Sequence, residues 1–164
     1  MPSGASKKVR VRAEKVAKLM RARGCISVRH VVGLGFSDAQ AESALKYLAS
    51  VGRAVRVRVG RVALWCCSEK SAARHVKRLR RALRALICAA KVKYVTPGDV
   101  LELVIGDKAA RELFSRYVNP SMKDTAALHL ISGLLAMMCG EPAFYKRGGS
   151  MPVYFAACLR PKKR

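Results

Sequence analysis

The side chains best suited to chemistry in this chain are its arginines and lysines, and their spacing suits a chain of phosphates. Arg53-Ala54-Val55-Arg56-Val57-Arg58-Val59 alternates strictly towards its end, so in a strand Arg56 and Arg58 project from one face ~6–7 Å apart. That is close to the separation of successive phosphates along one nucleic-acid strand, and Arg53 and Arg61 extend the set. A second array, Arg74, Lys77, Arg78 and Arg81, falls at i, i+3, i+4 and i+7 of a helix, one stripe. Like charges at these spacings destabilise an isolated helix by tenths of a kcal/mol per pair, and a polyanion would compensate them. The competing reading of the strand array is the solvated outer face of a hairpin, and of the helical stripe a membrane surface, which the lack of bulky aromatics at its polar–apolar border disfavours.

Other chemistry is poorly supplied. The six cysteines (Cys25, Cys66, Cys67, Cys88, Cys139, Cys158) include no CxxC and no histidine at ligand spacing, so no metal site is expected. The three histidines (His30, His75, His129) fall in separate elements, with no carboxylate pair and no phosphate-cradling glycine loop. Gly33-Leu34-Gly35 lacks the third glycine and the preceding strand of a dinucleotide fingerprint. The expectation is a protein without catalytic residues or cofactor, not an enzyme. Asn119 and Gln40 are the sole side-chain amides in 164 residues, a scarcity that with abundant arginine suggests a thermophilic source. Intracellular disulfides occur in hyperthermophilic archaea, so a bridge stays open beside the usual reading of buried thiols.

The charge is unevenly spread. Thirty-three Lys and Arg against ten Asp and Glu leave +23, with 51% of residues hydrophobic: enough for a packed core, and too basic for a surface without an anionic partner. Residues 1–67 hold 14 cations and three carboxylates, and residues 68–93 hold nine and one. Residues 94–158 balance at six each, and 159–164 add four cations. One part of the chain is built to meet a polyanion and another is not. The longest apolar stretch, Ala126–Cys139, has 14 residues, short of the ~20 that span a bilayer. The first residues, MPSGASKKVRVRAEK, have no hydrophobic signal core, so a cytoplasmic, nucleoid-associated location is expected and no membrane partner.

The elements that carry these side chains follow from local signals. After a basic arm at residues 1–9, Val16, Leu19 and Met20 recur at helical spacing up to Gly24. A short apolar stretch at Cys25–Val28 follows, and Ser27 can cap a brief helix to Leu34. Ser37-Asp38-Ala39-Gln40 is a capping box for a helix to about Ser50, with Ala41, Ala44, Leu45 and Leu48 on its buried face. A hairpin about Gly60 returns through Arg61–Cys66. Ser68 or Ser71 opens a basic helix over 71–90, seamed by Val76, Leu79, Leu83, Leu86 and Ile87. The order then repeats. A brief strand at Tyr94-Val95 leads to a helix capped by Thr96 with Pro97 at its first position. An additional helix runs from Lys108 to about Tyr117, a longer one from Ser121–Asp124 to near Gly140, and Phe144–Phe155 forms a second hairpin.

Helix, short strand, two helices and a hairpin, with Tyr47-Leu48-Ala49-Ser50-Val51-Gly52 leading into a Val/Arg wing, resembles the winged helix-turn-helix family of archaeal type. The resemblance covers residues 10–67 well and 72–158 more loosely, the additional helix departing from the pattern. It implies a mostly α fold with short β-hairpins (α+β): two winged helix-turn-helix domains in tandem. The domains would be a nucleic-acid-binding one at 10–67 and a second at 68–158, opened by the linking helix 71–90 and followed by the basic tail 159–164. By analogy the helix Ser37–Ser50 enters the major groove and the hairpin lies along the adjacent backbone or minor groove. That helix offers Gln40, Ser43, Lys46 and Tyr47 to base edges, although Asp38 and Glu42 on it repel phosphate. The family's strand pairing also brings Cys25 near Leu64–Cys67, so a bridge to Cys66 or Cys67 is a candidate.

In the second copy the equivalent helix is apolar nearly all round, which implies burial inside the monomer or against a partner. With the neutral charge of this half, the expectation is a homodimer or protein-docking interface through Leu130, Leu134, Met137 and Met138. The alternative is a larger internal core covered by the additional helix. The whole then reads as a double-stranded DNA-binding protein, a transcriptional regulator or chromatin-associated factor. An RNA-binding or ribosome-associated protein is the alternative, since residues 94–155 resemble the winged helix of a small-subunit ribosomal protein family. An adaptor for an acidic protein is the third reading.

Overall fold

A computed structural model of the chain describes residues 6–159; the start of the basic arm and residues 160–164 of the basic tail lie outside the described residues. Helix α1 (Lys7–Arg23) begins inside the stretch expected to be a basic arm, because Ser6 Oγ accepts the Val9 N–H at 3.2 Å and supplies a cap. Lys7, Lys8 and Val9 are therefore helical and not part of an arm. Gly24, at φ 82°, ends the helix and returns its N–H to Met20. Then follow β1 (Cys25–Ile26), α2 (Val28–Val32), α3 (Asp38–Ser50), β2 (Val55–Val59) and β3 (Val62–Cys66).

Helix α4 (Glu69–Ala90) leads into β4 (Tyr94–Val95), α5 (Pro97–Gly106), α6 (Lys108–Ser115), α7 (Thr125–Cys139), β5 (Phe144–Lys146), β6 (Met151–Phe155) and a closing 3-10 turn (Ala156–Leu159). The chain is α+β, with two three-stranded sheets of orders β1-β3-β2 and β4-β6-β5. In both, the short strand pairs antiparallel with the last strand of the hairpin, Cys25 opposite Cys66 and Tyr94 opposite Phe155.

Contacts divide the chain into two units. The first contains residues up to Arg58 together with Ala63–His75. Helices α1 and α3 pack face to face in it, Ala13, Val16, Ala17 and Met20 against Ala41, Ala44, Leu45 and Leu48, with Ile26 and Trp65 closing the core. Cys25 and Cys66 form a disulfide across β1 and β3, which resolves the choice between Cys66 and Cys67. The Cys67 thiol is free and donates to Met20 O at 3.4 Å. Cys139 is also disulfide-bonded, and Cys88 is free.

The second unit contains Val59–Val62 and the residues from Val76 onward. Its core is built on α7, whose Ala127, Leu130, Ile131, Gly133, Leu134 and Leu135 are buried, and α5, β6 and the closing turn pack on that helix. The additional helix α6 packs against α5 and buries Ala110 and Phe114. The turn between β2 and β3 belongs to this unit through its backbone. A Cβ added at Gly133 would stand 2.5 Å from Gly60 N and 2.7 Å from Val59 O. Only glycine lets helix and turn approach so closely.

Candidate nucleic-acid interface

The cations on β2 stand where alternation puts them. Arg56 and Arg58 are exposed, whereas Val59 on the intervening face is fully buried. The Arg56 guanidinium lies 5.7 Å from the centroid of the Trp65 ring, a cation–π contact that steadies it while leaving its N–H groups to solvent. Trp65 is 95% buried and its Nε1 has no hydrogen-bond partner among the described residues.

Arg53 is not available as expected. Its two Nη atoms grip both oxygens of Glu14 on α1, Nη2 to Oε2 at 3.3 Å. The hydrogen bond to Arg53, and then its charge, hold the Glu14 carboxyl below its ordinary value, and Arg53 is raised in turn. The guanidinium that was to extend the phosphate row is already paired inside the first unit. Arg61 is exposed, but the Gly60 turn beside it is packed on α7. The tip of this hairpin is therefore held against α7, whereas the family analogy had the hairpin lying along the DNA backbone or minor groove.

Helix α3 presents Ser43 and Lys46 to solvent. Gln40 is half-buried, and its Oε1 accepts the Ser37 N–H at 3.0 Å in the capping box, while Ser37 Oγ accepts the Gln40 N–H. A bidentate contact to adenine needs both the oxygen and the NH₂, so it would require the cap to open. Tyr47 is half-buried against the core of its own unit. On α4, Arg74, Lys77, Arg78 and Arg81 are all exposed, Arg80 and Arg84 half-buried. Arg78 lies close enough to Tyr117 to oppose the upward push that burial gives its phenol. None of the four exposed cations is paired with a carboxylate among the described residues.

The four side chains expected at a partner interface separate. Leu130 and Leu134 are fully buried within the second unit and cannot meet a partner; Met137 is 48% exposed and Met138 half-buried. Within the unit α5, β6 and the Val59–Val62 turn pack on α7. The additional helix α6 packs on α5.

Two features were not anticipated. A cavity of about 730 Å³ opens between the start of α5, α7 and the β5–β6 turn; Asp99, Glu102, His129, Lys146 and Arg147 line it. Its mixed charge distinguishes it from the basic face of the first unit. The other is a cluster of exposed aromatic rings on the β4-β6-β5 sheet. The Ser37–Gln40 capping box was legible in the sequence, whereas the Arg53–Glu14 pair, 39 residues apart, was not; the aromatic cluster joins residues 94, 144 and 155, which no local spacing connects. Among the described residues no three His, Cys, Asp or Glu stand together as a metal would need, and no helix is long and apolar enough to cross a membrane.

Residues 73–155, half of the chain, match the family model described as "PSV, transcriptional regulator domain". Among solved structures, the crystal structure of the hypothetical protein PyrSV_gp04 from Pyrobaculum spherical virus is similar to the chain with a TM-score of 0.84 and 30% identity. The match covers 96% of this chain and 100% of that one. No curated protein matches.

Proposed function

The chain belongs to the PSV transcriptional regulator domain family, and from that membership we propose that it regulates transcription by binding double-stranded DNA, chiefly through phosphates, without catalysing a reaction. The observation that carries the reading is the set of exposed cations with no carboxylate partner among the described residues: Arg56 and Arg58 on β2, and Arg74, Lys77, Arg78 and Arg81 on α4. Exposed positive charge at this density is stabilised by a polyanion and by little else.

We read both units as winged helix-turn-helix domains. The repeated element order and the matching strand orders β1-β3-β2 and β4-β6-β5 support this. In that reading α3 faces the major groove with Ser43 and Lys46, and β2 follows the backbone with Arg56 and Arg58. Asp38 and Glu42 on α3 and the occupied Gln40 leave little for base-specific contact, so affinity comes mainly from phosphates and discrimination between sequences is modest.

Competition of duplex DNA, single strands and structured RNA for the purified chain, across a salt series, tests this. Duplex DNA is expected to win, with log K falling by about 0.9 per phosphate neutralised for each tenfold rise in salt. Affinity insensitive to salt, or a preference for structured RNA with co-sedimentation on ribosomal particles, would overturn the proposal.

A further inference from the structure

Soluble domains rarely leave several aromatic rings together on the surface, because burying each is worth far more than solvating it. The β4-β6-β5 sheet does so. Tyr94 is 37%, Phe144 40% and Phe155 46% exposed. Register puts the three on one face: Tyr94 pairs with Phe155, and Phe144 pairs with Val153, two residues from Phe155. Val95 and Tyr154, on the opposite face, are buried.

The rings are ordered among themselves. The centroids of Tyr94 and Phe144 are 5.3 Å apart edge to face, and those of Tyr94 and Phe155 4.9 Å apart. Lys93 Nζ sits 5.5 Å from the Tyr94 ring centroid. Beside Phe155 lies a depression of about 410 Å³, lined by Lys91, Val92, Lys93, Phe155 and Ala157, with no carboxylate. Of the five residues from Arg160 to Arg164, which follow this sheet in the sequence, four are cationic.

We propose that this sheet face is a stacking platform for unpaired bases of a single-stranded nucleic acid, with Lys91 and Lys93 holding its phosphates. Aromatic faces accept any base and lysines accept any phosphate, so the site needs no sequence. A depression of this size falls within the range of small-ligand sites. A second copy of the chain fits less well, because the depression beside the rings carries Lys91 and Lys93 and no carboxylate that would pair with a copy's lysines. The proposal goes beyond duplex binding, which draws on other residues, and each can fail alone.

The test uses the full chain with a fluorescein-labelled oligothymidylate, an oligouridylate, a duplex and a Glu-rich peptide, read by anisotropy, with sedimentation in parallel. Changing Tyr94→Leu, Phe144→Leu or Phe155→Leu should weaken single-strand binding about tenfold per ring and leave duplex binding and the melting curve unaltered. K91M/K93M should reduce the salt slope for single strands by about 0.7 per lysine. A fluorescent base analogue in the strand should be quenched by the wild-type chain and not by the Phe144→Leu variant, which tests the stacking itself. Wild-type single-strand affinity in all three ring variants would overturn the proposal. So would binding of the acidic peptide alone, or dimers that the ring variants dissolve.

Discussion

At the residue scale, the arginines of the first hairpin are not equivalent, and what separates them is the partner each has. Arg56 rests on Trp65 with its N–H groups outward; Arg53 is clasped by Glu14. The R56A/R58A double variant should weaken binding to every duplex alike and lower the salt slope by about 1.8, roughly 0.9 per lost phosphate contact. Arg53→Ala should change the slope little, whereas Glu14→Gln, which loosens the clasp, should strengthen duplex binding. Electrophoretic shifts at several salt concentrations measure all three. The same pair sets a pH dependence. Its folded-state pKa being depressed from an ordinary 4.5, Glu14 contributes stability above that value and loses it as pH falls through the lowered one. Thermal melts of wild type and Glu14→Gln should diverge above about pH 5 and converge in stronger acid; parallel curves throughout would contradict the pairing. The effect is small and salt-sensitive, because both groups are exposed.

At the scale of elements, the helices begin where short-range hydrogen bonds allow. Ser27 N–H donates to His30 Nδ1, Ser37 exchanges bonds with Gln40, and Thr96 exchanges them with Asp99, all within three residues. This explains why these three helix starts, the Gly24 and Gly140 stops, and both hairpins were readable from sequence, whereas the start of α1 at Lys7 was not. The contact of α7 with the Val59–Val62 turn is of another kind. Gly133 lies against backbone atoms of Val59 and Gly60 that cannot rotate away. Gly133→Ala should therefore destabilise the chain by about 1–3 kcal/mol, seen as a lower denaturant midpoint, whereas alanine at the open Gly106 should not approach that loss. Equal midpoints for the two variants would show that the turn yields.

Across the whole molecule, two constraints act together: a large unbalanced charge, and a covalent tie that resists the repulsion it causes. The disulfide joins Cys25 to Cys66, 41 residues apart, a loop whose closure removes chain entropy from the unfolded state worth about 4 kcal/mol. Reduction should lower the thermal midpoint, and more at low salt than at high, because the +23 net charge repels itself less when screened. Reduced and oxidised protein melting together would contradict this. The remaining half of the charge argument concerns residues 94–158, balanced at six cations and six carboxylates. Neutrality there suggested a partner surface, yet the side chains nominated for it, Leu130 and Leu134, are core. The large apolar side chains exposed in that half are instead Tyr94, Met122, Met137, Phe144, Tyr145 and Phe155, and the rings of Tyr94, Phe144 and Phe155 meet across one sheet.

By itself the sequence determined the helices, the hairpins, the repeated order and the uneven charge. Each depends on neighbours within a few residues: a cap, a glycine, a period of two or 3.6. Tertiary structure alone decided which arginine is spent on Glu14, what covers α7, which cysteine closes the bridge to Cys25, and which aromatic rings meet on one sheet. An apolar face must be covered and a charge must be compensated, but periodicity does not say by what. The partners stand 39 residues apart for Glu14 and Arg53 and 50 for Tyr94 and Phe144, and only the packed chain brings such distant groups into contact.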